Sequence, residues 1–120
     1  MNWLAVFIGG GLGSLARYAV SLAMVKFYQG TFPVATLISN ICASLLLVML
    51  VVFAKDKLND NFFLLLMTTG FCGGFSTFST FSFETVSLFR SGETAFAIAN
   101  ILISVLACLF IVYFLIRFAR

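Results

Sequence analysis

The stretch Gly70-Phe71-Cys72-Gly73-Gly74-Phe75-Ser76-Thr77-Phe78-Ser79-Thr80-Phe81-Ser82-Phe83-Glu84 decides how the rest of the chain is read. It lies within an apolar segment, yet it lacks the character of a lipid-facing helix. Gly70, Gly73 and Gly74 loosen the backbone, and five hydroxyl side chains interleave with five phenylalanines before Glu84 closes the run. In hydrocarbon each unpaired backbone N–H or C=O costs several kcal/mol, so irregular backbone survives only where it is buried in protein or lines water. A segment broken by glycine, lined by hydroxyls and walled by aromatic rings therefore points to a site for a small polar solute or ion. The competing reading is tight helix packing, with glycines and hydroxyls as small interface residues.

Outward from this stretch, the chain divides into four apolar segments, 3–25, 34–54, 62–88 and 94–118, joined by short connections. Each is long enough to cross a bilayer, which takes about 20 apolar residues. Of the 120 residues 62% are hydrophobic and only 9% charged, far from the composition of a water-soluble domain. The expected class is an all-α membrane protein, one integral domain over residues 1–120, with both termini on one side. The first segment does not read as a signal peptide, because its start is not basic, Arg17 interrupts it and three more spans follow.

The net charge of +3 comes from scattered residues that form no basic patch, which argues against a nucleic-acid partner. Lys55, Lys57, Arg117 and Arg120 fall on the side of the termini; Lys26 and Arg90 fall opposite, with Arg17 a third if it sits near that end of its helix. Such a weak positive-inside bias is compatible with insertion in both directions. Cys42, Cys72 and Cys108 have neither metal-ligand spacing nor a disulfide framework, and they read as small core residues.

Polar faces recur on the other segments. Gly9, Gly13, Arg17 and Ser21 are each four apart, as are Thr36, Asn40 and Ser44, and Asn100, Ser104 and Cys108. Residues at that spacing share one side of a helix. Gly9 and Gly13 form a small-xxx-small pattern that lets helices approach closely, and they offer a packing surface for a second copy of the chain. Arg17 marks either a functional or paired site in the membrane or a side chain that snorkels to the interface. Asn40 must either bond across a helix interface or face a water-filled path.

The chemistry available in this setting is narrow. Histidine is absent, Asp56, Asp60 and Glu93 sit in loops, and Glu84 is the one acid near a span interior. No nucleophile–base pair, carboxylate pair or metal cluster can be assembled, so an enzyme is not expected. Hydroxyls and an asparagine amide supply hydrogen-bond donors, helix N-termini supply positive dipoles, and phenylalanine ring edges are positive. These groups suit a small, strongly hydrated anion.

At this point the residues resemble a known family. The third-segment signature with Glu84, the Gly9–Tyr18 run and the Thr36–Asn40 run are similar to the three motifs of the Fluc (CrcB-type) fluoride channels. The resemblance implies a passive fluoride-selective channel that exports fluoride from the cytoplasm. It further implies an antiparallel, dual-topology homodimer with two pores in the bacterial inner membrane, its third helix broken mid-membrane. On that resemblance the pore residues are Asn40, Phe78, Ser79, Thr80, Phe81 and Ser104, with Arg17 and Glu84 in the vestibule. Backbone carbonyls of Gly73 and Ser76 would hold a structural Na+ ion at the dimer axis. Phe75 and Ser76 depart from the commoner Leu and Thr of the signature, a change that leaves carbonyl ligands intact. The alternatives are a small four-helix multidrug-type transporter and a non-transporting membrane subunit. The former depends on a glutamate in its first helix, where this chain places Arg17.

Overall fold

The computed structural model describes residues 1–54, 56 and 59–119. Lys55, Lys57 and Arg120, which enter the charge comparison above, lie outside the described residues. Among the described residues four helical spans are long and apolar enough to cross a bilayer: Asn2–Phe27, Val34–Ala54, Asn61–Arg90 and Thr94–Phe118. Among the described residues there is no strand. The molecule measures 50 × 32 × 23 Å, the shape of a short helical bundle.

Boundaries follow local chemistry. The second span begins at Val34, directly after Pro33, whose missing N–H costs nothing at a helix entrance. It ends in wide turns with i→i+5 hydrogen bonds over Leu50–Ala54. Asp60 starts the third span by accepting the Phe62 N–H at 2.9 Å, the usual work of an N-terminal capping aspartate. Gly92, at φ +83°, turns the chain between the third and fourth spans.

The third span is the irregular one. It runs as α-helix over Asn61–Leu65, widens to i→i+5 winding over Leu66–Cys72, and returns to α-helix for Gly73–Phe75. Ser76 (ψ 154°) and Thr77 (φ −152°, ψ 119°) are then extended, and helix resumes over Phe78–Arg90. The hydroxyls of both residues are engaged locally, and that of Thr77 starts the new helix. Ser76 turns its hydroxyl back onto the Cys72 carbonyl at 2.8 Å, while the Thr77 hydroxyl accepts the Thr80 N–H at 3.2 Å and caps the new helix. Threonine is favoured at that capping position because its oxygen satisfies an otherwise unpaired N–H.

This interruption divides the packing. Before it the third span lies on the first; after it, on the fourth. The first crossing is close because it is made by glycines. A Cβ at Gly9 would strike the Leu66 carbonyl, one at Gly13 the Phe71 carbonyl, and one at Gly74 the Gly10 carbonyl. Gly9 and Gly13 are therefore engaged within the chain, which corrects their assignment to a surface for a second copy. Close backbone approach is the main route to helix association in lipid, where the hydrophobic effect between helices is absent.

The interior is small, with Ala5, Ala43, Ala97, Val48, Cys72, Phe75, Phe81 and Leu88 as its buried apolar residues. Large apolar side chains such as Trp3, Phe7, Leu106 and Phe110 face outward. An exterior of this kind needs lipid or protein against it. Cys72 is buried and Cys108 half-buried, but Cys42 is exposed and so is not a core residue of the single chain.

Candidate functional site

The site is built on the interruption of the third span. A continuous helix would send the Thr77 N–H to the Gly73 carbonyl and the Thr80 N–H to that of Ser76. Instead Thr77 N–H is donated to Asn40 Oδ1 at 2.8 Å, and Thr80 N–H to Thr77 Oγ1. Two other carbonyls at the interruption gain side-chain donors from distant helices. Asn40 Nδ2 reaches the Thr77 carbonyl at 3.3 Å, and Arg17 Nε reaches that of Gly74 at 3.2 Å. Arg17 thus points inward and ties the first span to the third, which decides between the two readings of that side chain. Asn40 bonds across a helix interface and also borders an open groove.

That groove, about 250 Å3 in volume, is lined by Asn40, Ser44, Ser76, Phe78, Phe81 and Ser104. The Phe78 and Phe81 ring centroids are 5.5 Å apart with their planes tilted by 38°, so the two rings form one wall. Phe81 is buried, whereas Phe78 is 78% exposed and leaves the groove open along its length. The helix that starts at Phe78 directs its N-terminal, positive end to the same place. Cys108, on the Asn100–Ser104 face of the fourth span, lines the groove as well.

Ser79 and Thr80 are turned differently. Ser79 is exposed and lies 3.2 Å from Thr77 Oγ1; the Thr77 hydroxyl in turn reaches Thr80 Oγ1 at 3.1 Å. Thr80 opens instead onto a second pocket of about 250 Å3 that it shares with Arg17, Ser21, Thr36 and Glu84. There Thr36 donates to Glu84 Oε1 at 2.8 Å, linking the second and third spans. Gly73, with nothing within 4 Å of a would-be Cβ, and Ser76 border a third groove of about 450 Å3 with Thr68, Thr69 and Cys72.

Nine of the ten sequence-derived residues fall into three places, and Ser79, expected in the pore, lines none of them. Asn40, Phe78, Phe81 and Ser104 meet in one groove, Arg17, Thr80 and Glu84 in a second, and Gly73 and Ser76 at the interruption. Thr77 was missed, although it makes five of the contacts that shape the site; its signal was a threonine three residues before Thr80 at the start of a helix. Thr36 carried its four-residue spacing and its place in the Thr36–Asn40 run, and Asn100 only its spacing.

This arrangement is matched by known proteins. The family model described as "CrcB-like protein, Camphor Resistance (CrcB)" covers residues 4–116. The chain belongs to the CrcB family. Among its relatives, a protein of Ruminiclostridium cellulolyticum named "Fluoride-specific ion channel FluC" is 44% identical over 91% of this chain and 85% of its own. Proteins bearing that name are 43% identical in Coxiella burnetii, over 91% of this chain and 90% of theirs, and 47% in Pyrococcus furiosus, over 90% and 87%. Family membership and four bilayer-length helices make this CrcB chain a multi-pass membrane protein.

Proposed function

We propose that this chain forms a passive, fluoride-selective ion channel. The observation that carries the reading is the groove where Asn40, Phe78, Phe81 and Ser104 converge on a helix N-terminus within a membrane span. A small anion stripped of water needs donors and positive dipoles, and the Asn40 amide, the ring edges and the helix end are groups of that kind. The names of the relatives agree with this reading. The activity is permeation, not catalysis. In a bacterium the setting is the inner membrane, where hydrogen fluoride that enters neutral and ionises inside would leave as fluoride down the membrane potential.

The working unit in this proposal is an antiparallel homodimer with two pores, its third helix broken mid-membrane at Ser76–Thr77. Support comes from the groove itself, which is open along Phe78 and needs a further wall to exclude lipid. The proposal includes a sodium ion held by the Gly73 and Ser76 carbonyls. These are the two carbonyls whose helical N–H partners are given to Asn40 and Thr77, and carbonyl oxygens suit a hard cation. Such an ion would supply positive charge that fastens two copies together. Arg17 and Glu84 border the vestibule through which the anion enters.

Purified protein in fluoride-loaded liposomes provides the test, with a potassium ionophore to carry counter-charge. Fluoride appears outside while chloride-loaded vesicles stay full. Folded protein that releases no fluoride would remove the proposal and leave a carrier or a non-transporting subunit. A form locked in one orientation by added loop lysines should be inactive alone and recover when mixed with its opposite; full activity alone would remove the antiparallel dimer.

A further inference from the structure

Behind the groove lies a buried polar chain that pore lining does not account for. Thr85, Asn100 and Ser104 are 6%, 1% and 6% exposed. Ser104 Oγ donates to Asn100 Oδ1 at 3.1 Å, Asn100 Nδ2 donates to Thr85 Oγ1 at 2.9 Å, and Thr85 Oγ1 donates to the Phe81 carbonyl at 2.7 Å. Every proton therefore runs from the groove toward the helix that carries Phe81. In this wiring Ser104 turns lone pairs to the groove, the wrong pole for an anion. The amide has a second wiring. Turned over, its Nδ2 donates to Ser104 Oγ while its Oδ1 accepts from the Thr85 hydroxyl, and the Ser104 proton is released to the groove. All three side chains stay satisfied, and the Phe81 carbonyl loses only a donor additional to its main-chain helical bond.

Resting on the fluoride-channel reading, we infer that Asn100 is a positioning residue whose amide, by turning over, switches Ser104 from acceptor to donor when an anion occupies the groove. Asn100 touches no anion. Its 1% exposure, and its bonds to both Ser104 and Thr85, place it to set the direction of a proton at the groove wall. An amide is suited to this because it carries a donor and an acceptor on one rigid plane; a hydroxyl or an aliphatic group of the same size cannot exchange the two ends.

The test is a double-mutant cycle read as fluoride efflux from liposomes. Asn100→Leu in the parent should lower flux by about tenfold, the scale of one hydrogen bond to a charged group. The Ser104 proton then falls back on the main-chain carbonyl four residues earlier, as at Ser21, Ser76 and Ser82, and nothing donates to Ser104 to turn it to the groove. In a Ser104→Ala background the same substitution should change flux hardly at all, since the hydroxyl it acts through is gone. Thr85→Val, which keeps the side-chain shape, serves as a second entry if Asn100→Leu does not assemble. It should lower flux in the parent and be silent beside Ser104→Ala, because it takes the far partner of Asn100 in both wirings, leaving the amide free to turn away from Ser104. Equal losses in both backgrounds, or no loss in the parent, would overturn the inference. Failure of the parent itself to conduct fluoride would instead defeat the channel reading, so the two failures are told apart.

Discussion

Asn40 holds both main-chain polar groups of Thr77, accepting its N–H at 2.8 Å and donating to its carbonyl at 3.3 Å. One amide from the second span thus takes up the Thr77 N–H that the helix gives up at its interruption and adds a donor to the Thr77 carbonyl. Each such bond contributes about 1 kcal/mol net, and leaving the buried groups unpaired costs more. Asn40→Leu is predicted to destabilise the fold by about 2 kcal/mol or more and to abolish measurable fluoride efflux. Thermal unfolding in detergent and liposome efflux on the same preparation check it; parent-like values in both would contradict the clamp.

The neighbouring glycines Gly73 and Gly74 should behave oppositely. An added Cβ at Gly74 meets the Gly10 carbonyl, whereas one at Gly73 meets nothing within 4 Å. Gly74→Ala is predicted to cost about 1–3 kcal/mol through overpacking against a backbone that cannot yield. Gly73→Ala should leave the helicity and stability of the single chain at parent values. Circular dichroism melts of the two variants decide, and equal damage from both would refute the crossing geometry.

Phe78 and Phe81 are separated by burial: 78% against 8% exposed. Phe81→Ile should lower both stability and flux, since it changes shape inside a packed interior. Phe78→Ile should lower flux by about tenfold while leaving the melting temperature of the chain unchanged, because what it removes is a positive ring edge at the groove. Phe78→Met should fall between parent and Ile, its thioether being polarisable and flexible. A folded Phe78→Ile protein conducting at the parent rate would exclude ring-edge contact with the anion.

Removal of sodium tests the proposed cation site without altering a side chain. Prolonged exchange into a large organic cation, too big for a cluster of carbonyls, should reduce fluoride flux and lower the melting temperature of the dimer, as loss of any ligand bound only by the native state does. Flux and melting temperature unchanged by the exchange would remove the ion from the structure's account.

Much of this protein was legible in its sequence. Apolar segment length predicted four spans, and spacing by four placed Thr36, Asn40 and Ser44, and Asn100, Ser104 and Cys108, on common faces. Both readings hold because helix geometry is local: a 3.6-residue repeat determines which side chains align, whatever surrounds them. What surrounds them was decided only in three dimensions. Whether Arg17 points inward depends on the Gly74 carbonyl, 57 residues away, and the interruption is secured by an amide 37 residues away. Gly9 and Gly13 announced a close approach without naming the partner, since a missing Cβ specifies how near a backbone comes and not which one. The outward position of Cys42 and the buried chain from Ser104 to Phe81 were likewise invisible, because periodicity assigns a residue to a face and only packing assigns that face a neighbour.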